Sequence, residues 1–119
     1  VARVSRLLAD CLYANRNSDL SVGTMIMGYD EQGPSIYYVD NKGTRIGGDL
    51  FSVGSGSTFA LGVLDTERLR NMKEDEAINL GIKAIRHATF RDAFSGGYIA
   101  VYVITKEGWR KVFSEDLAL

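Results

Sequence analysis

Two glycine-rich turns hold the residues best placed to do chemistry. The first, Gly54-Ser55-Gly56-Ser57, follows the short apolar run Phe51–Val53, which reads as a strand, and precedes a helix expected over Thr58–Asp65. Glycines let a backbone turn tightly, and the opening N–H groups of a helix are unpaired donors for an anion or an oxyanion. The turn lacks the Lys-Ser/Thr of a phosphate loop and the third glycine of a dinucleotide fingerprint, and it is not Gly-x-Ser-x-Gly. Taken locally it reads first as a plain tight turn. The second stretch is Arg91-Asp92-Ala93-Phe94-Ser95-Gly96-Gly97. An Asp and a Ser three apart in a glycine-rich loop can aim both side chains at one point. There the carboxylate would orient an amine or hydroxyl, and Ser95 would relay a proton or hold water. The competing reading is a helix stop, with Asp92 bonding the backbone and the glycines taking positive φ.

Other candidates are weaker. His87 with Asp92 and a serine has the composition of a hydrolase triad. It falls inside a helix, one turn before the loop, and reads as a surface or hydrogen-bonded histidine. A single histidine excludes a multi-histidine metal site, and the single Cys11 excludes an internal disulfide and a two-cysteine metal knuckle. Cys11 lies on the expected apolar face of the first helix and reads as inert core. Met25, Met27, Tyr37 and Tyr38 read as packing, and Lys73–Glu76 as a solvated helix start.

Elements that position these turns follow from periodicity. Val1, Val4, Leu8, Cys11, Leu12 and Asn15 recur at helical spacing, so the chain opens inside an amphipathic helix. Val22–Tyr29 and Ser35–Asp40 read as strands around an Asp30–Pro34 turn, and Asn41-Lys42-Gly43 leads into Thr44–Ile46. Asn71 with Glu74 forms an expected capping box ahead of a long helix over Glu74–Arg91. On it Ile78, Ile82, Ile85 and Thr89 share a face, beside a ridge of small residues, Ala77, Gly81, Ala84 and Ala88, suited to close helix packing. Tyr98–Ile104 and Trp109–Phe113 read as strands joined by a turn, and Ser114-Glu115-Asp116 as a further helix start. Val22–Tyr29 and Tyr98–Ile104 are apolar on both alternating faces, which suggests cover on both sides. Strands in hairpins with helices outside suggest two sheets face to face with flanking helix layers.

The 119 residues are enough for one core, and 45% hydrophobic with 24% charged content is globular usage. Fourteen Lys and Arg against fifteen Asp and Glu leave a charge of −1, which disfavours a broad nucleic-acid footprint. No apolar run nears the ~20 residues of a membrane span. The expectation is one soluble, intracellular unit, with both ends cut from something longer.

Three ordered segments carry a resemblance. They are Ser21–Ile26 leading to Gly33–Asp40, Phe51–Ser57 followed by Gly62–Asp65, and His87–Gly97. Together they resemble catalytic beta-type subunits of the eukaryotic proteasome core particle, nearest the chymotrypsin-like class, across essentially the whole chain. The resemblance implies an α+β fold: the four-layer αββα sandwich of N-terminal nucleophile hydrolases, here an incomplete, C-terminal portion, with residues 1–119 as part of a single domain. It implies a threonine endopeptidase whose nucleophile is an N-terminal threonine exposed by processing. By their place in the motifs, Ser55, Asp92 and Ser95 would be the supporting site residues, bonded to the threonine's amine and hydroxyl. No cofactor is implied for the chemistry. A structural Mg or Na ion on backbone carbonyls of Thr89, Asp92 and Ser95 is. Implied partners are alpha and beta subunits in stacked heptameric rings and unfolded polypeptide, without nucleic acid or membrane, in cytoplasm and nucleus.

The threonine, an early aspartate and lysine, and the oxyanion glycine belong to the family's N-terminal part, and Val1 aligns with its second main helix. The chain by itself is therefore expected to be inactive and prone to association. Glu67-Arg68 stands where relatives tend to carry a tyrosine, and Tyr98 where a smaller residue is common. The alternative function is a non-catalytic structural or interaction subunit. A bacterial-type relative is a lesser option.

Overall fold

The computed structural model describes residues 1–118. In chain order the elements are α1 (Ala2–Ala14), β1 (Gly23–Asp30), β2 (Gly33–Asp40), β3 (Arg45–Gly48), α2 (Ser57–Glu67), α3 (Glu74–Arg91), β4 (Tyr98–Thr105) and β5 (Gly108–Asp116). One sheet has the order β1-β2-β3 and the other pairs β4 with β5. Mixed helices and antiparallel strands give the expected α+β composition. The described chain divides into two compact units, Val1–Val53 with Ile104–Trp109, and Gly54–Val103 with the stretch from Arg110 onward.

In the first unit α1 lies on the three-stranded sheet. Ala9 and Leu12 bury against Val39, with Leu8 and Ile26 packed around them. The expected stripe through Val4 and Cys11 does not face inward: Val4 and Cys11 are exposed, and the buried residues of the helix are Ser5, Ala9 and Leu12. Small side chains at 5 and 9 let α1 approach the sheet closely, which turns the longer ones outward. The buried Ser5 hydroxyl donates to the carbonyl of Ala2 at 2.7 Å and accepts from Arg45 Nε at 2.7 Å. That satisfies the polar atom its burial would otherwise strand. Cys11 is thus a surface thiol, contrary to its reading as core.

β1 and β2 form a hairpin through the two-residue turn Glu31–Gln32, in the register Asp30 opposite Gly33 and Met25 opposite Tyr38. On β1 the alternate residues Thr24, Ile26 and Gly28 are covered, whereas Met25, Met27 and Tyr29 are exposed. The two-sided cover expected of this strand is therefore one-sided within these residues. Phe51–Val53, expected as a strand, is irregular: Phe51 stacks its ring on Tyr38, with centroids 6.2 Å apart. Unpaired edges and an uncovered apolar face drive association. The isolated chain is accordingly expected to self-associate at micromolar concentration, read by light scattering, and a cooperative monomeric melt would contradict this.

In the second unit α2 packs on α3 through alanines. Ala60, Ala84 and Ala88 bury together, bordered by Val63 and Leu64. This is the small-residue ridge at work, although Ala77 is exposed and Ile85 is left 43% exposed. α3 spans the expected residues, but its start differs. Asn71 takes φ 55°, a left-handed conformation asparagine tolerates, so it cannot head the helix. The carboxylate of Glu76 instead accepts the Lys73 backbone N–H at 2.9 Å. Ser114-Glu115-Asp116, expected as a helix start, continues β5. The strand pairing outlasts the local signal: the Leu117 N–H reaches the Gly97 carbonyl at 2.7 Å, and Glu115 is held by Arg86 at 2.8 Å. Among the described residues no helix is long and apolar enough to cross a membrane.

Candidate active site

Both glycine-rich turns lie in the second unit. At Gly54 the backbone takes φ 113°, which side-chain-bearing residues avoid, and it swings the chain from Val53 into α2. That places Ser55 at the mouth of the helix. Asp92 is the residue that stops α3: its N–H still bonds to Ala88 O at 2.8 Å, and its φ and ψ of −99° and 116° leave the helical region. The alanine packing of α2 on α3 brings the two ends together.

The Ser55 hydroxyl donates to Asp92 Oδ2 at 2.6 Å, and the Ser95 hydroxyl donates to the same oxygen at 2.6 Å. Oδ1 accepts the Phe94 N–H at 3.2 Å. Asp92 thus bonds the backbone through Oδ1, as a helix stop does, and gathers the two serine side chains on Oδ2. Asp92 is 8% exposed, Ser95 half-buried and Ser55 exposed, so a buried carboxylate lies beneath two reachable hydroxyls.

Electrostatics follow from the donors. Hydrogen bonds from Ser55, then from Ser95, and a backbone N–H from Phe94 hold the Asp92 carboxyl below the usual carboxylate range, against an opposing push from burial. Distances of 2.6 Å are those of O–H bonded to an ionised oxygen. The carboxylate also lies beside Gly56, the residue that caps α2, where the helix dipole favours negative charge.

Each serine spends its one proton on Asp92 and keeps its lone pairs. Toward an incoming group the cluster is a negatively charged set of acceptors, suited to an amine, an ammonium or a hydroxyl. It offers no side-chain donor to an oxyanion. His87 is exposed on α3 and has no part in it: the hydrogen bonds of Asp92 run to Ser55, Ser95 and Phe94. Thr89 turns its hydroxyl back to the Arg86 carbonyl at 2.8 Å, and with Ser95 borders a shallow cleft that also includes Arg86, Phe90 and Gly97. Among the described residues no group of three His, Cys, Asp or Glu side chains is placed to hold a metal.

Comparisons with known proteins give the chain a family. The model of the proteasome subunit family matches residues 1–104. The chain belongs to that family. Proteasome subunit beta type-5 of Dictyostelium discoideum is 53% identical over 98% of this chain and 43% of its own length. That of Gallus gallus is 52% identical over 99% of this chain and 46% of its own. Proteasome subunit beta type-8 of Canis lupus familiaris is 48% identical over 98% and 42%. The chain thus spans less than half the length of these relatives. Read locally, the two turns of this proteasome-family chain were separate motifs. A hydrogen bond across 37 positions, Ser55 to Asp92, leaves no periodic trace, and only the family pattern joined them.

Proposed function

We propose that this chain is part of a threonine-type endopeptidase subunit of a proteasome core, cleaving unfolded proteins with a preference after apolar residues. The observation that carries the reading is the pair of serine hydroxyls committed to one ionised, buried carboxylate. In this reading an N-terminal threonine, outside these 119 residues, attacks the peptide carbonyl. Its free amine takes the hydroxyl proton and passes it to the departing peptide amine as the C–N bond breaks, and water later hydrolyses the acyl-enzyme. The lone pairs of Ser55 and Ser95 accept the amine's N–H bonds and fix its orientation, while the charge of Asp92 favours the positive charge that grows on the amine.

The same reading makes residues 1–119 the C-terminal portion of a single αββα domain, supported by a family match that runs through both compact units. Its partners are alpha and beta subunits in stacked heptameric rings, in keeping with relatives named as proteasome beta subunits, and its place is the cytoplasm and nucleus. A structural Mg or Na ion on the carbonyls of Thr89, Asp92 and Ser95 belongs to the reading as well. Hard oxygen donors suit such ions, and Thr89 and Ser95 border one cleft.

The test is hydrolysis of fluorogenic peptides by assembled particles containing the full-length subunit. Cleavage after apolar residues, with little after basic or acidic ones, is expected. Particles that remain inactive while the threonine is exposed would overturn the assignment.

A further inference from the structure

The two glycines around Ser55 serve opposite needs. Gly54 needs its positive φ, and an added Cβ there would meet nothing within 4 Å. Gly56 has φ −88° and ψ 5°, a conformation open to other residues, so backbone freedom does not explain it. Space does. A Cβ on Gly56 would lie 2.9 Å from Ser95 Oγ, 3.2 Å from Asp92 Oδ2 and 3.2 Å from Ala88 Cβ. Two of those three atoms belong to the candidate site.

We infer that Gly56 is a positioning residue of this site: its missing side chain is the space in which Ser95 and Asp92 meet. The inference rests on the peptidase reading. A methyl group at position 56 must displace one of its three neighbours. Ala88 is 5% exposed in the α2–α3 packing, and its Cβ is fixed to the helix backbone. Asp92 Oδ2 is held by two short hydrogen bonds. The Ser95 hydroxyl is the closest of the three and turns about a single bond, so it yields first. It leaves Asp92, and the acceptor it presented to the incoming amine is lost. Ser55 keeps its own bond, so the site is misaligned rather than dismantled.

The experiment places Gly56→Ala in the full-length subunit and assays assembled particles with a fluorogenic peptide. A misplacement of this size is expected to lower kcat about tenfold to a hundredfold. KM is expected to stay within about twofold, because peptide binding is uniform in both states and is not touched. Gly62→Ala, on the same helix with nothing within 4 Å of an added Cβ, is the control and should match wild type within about twofold. The decisive arm is Gly56→Ala combined with Ser95→Ala. With the displaced oxygen absent, the methyl should cost little beyond Ser95→Ala alone, a strongly non-additive pair. A wild-type kcat for Gly56→Ala, or losses that multiply in the double variant, would overturn the inference. So would failure of both variants to assemble, since the need for glycine would then belong to the fold. Wild-type particles without activity would instead sink the peptidase reading itself.

Discussion

Asp92→Asn in the full-length subunit is expected to lower peptide turnover by on the order of 10²- to 10⁴-fold, the range of a positioned acid–base group, in particles that still assemble. The carboxylate accepts hydrogen bonds on both oxygens, from two hydroxyls and from the Phe94 N–H. An amide keeps one accepting oxygen. With that oxygen on the Phe94 N–H, its NH₂ faces both serines as a donor, and each hydroxyl must turn its proton outward. An outward proton repels the amine that the lone pairs would have held. The negative charge that favours a protonated amine is lost at the same time.

The pH dependence follows from the direction of the shift. Asp92 titrates below its ordinary value in the folded chain. Its contribution is therefore present above the unfolded value of about 3.9 and is lost as pH falls through the lower folded one. Between about pH 5 and 9 it stays ionised. Asp92→Asn should then lower the height of the pH–rate profile in that window and move the midpoint set by the threonine's amine downward, because the charge that favours the protonated amine is gone. The readout is kcat against pH, with native gels to follow assembly. Activity within about threefold of wild type would remove Asp92 from the machinery.

Ala84→Leu is the second large effect, and it acts through packing. Ala84 is 2% exposed where α2 meets α3, in one cluster with Ala60 and Ala88. Three extra carbons in a close-packed seam cost about 1–3 kcal/mol, a sizeable share of a domain's typical 5–15. The helices must part. Since α2 carries Ser55 at its mouth and α3 ends at Asp92, parting them lengthens the 2.6 Å bond between the two. Both the thermal midpoint of the subunit in its particle and the peptide turnover should fall. Ala77→Leu, on the same helix but exposed, should change neither. An unchanged melting curve for Ala84→Leu would contradict the helix seam as the support of the site.

Sequence pattern located α3 to the residue because eighteen positions of helical periodicity override any single end signal. The small-residue ridge was legible for a similar reason: small residues at spacings of four, three and four line one helix face and suit close approach of another helix, which Ala84 and Ala88 make and the exposed Ala77 does not. Patterns failed where a long-range contact outweighs a local preference. Ser114-Glu115-Asp116 carries the composition of a helix cap, yet its backbone is claimed by strand pairing and Glu115 by Arg86. Val4 and Cys11 are apolar at the right spacing, but Ser5 and Ala9 fit the sheet better because they are small. The site divides the same way. Asp92 and Ser95 lie three apart, so their convergence is a local possibility, whereas Ser55 reaches them only through tertiary packing. Gly56 was visible as a turn glycine. That its lack of a side chain makes room for Ser95 needed coordinates.

The most direct measurement is a structure of the assembled particle with the full-length subunit, resolved finely enough to place side chains. Ser55 Oγ and Ser95 Oγ should both still donate to Asp92 Oδ2. The amine of an N-terminal threonine should lie within a hydrogen bond, about 3 Å, of the serine oxygens. A threonine held elsewhere, with the three side chains turned toward other partners, would contradict the account.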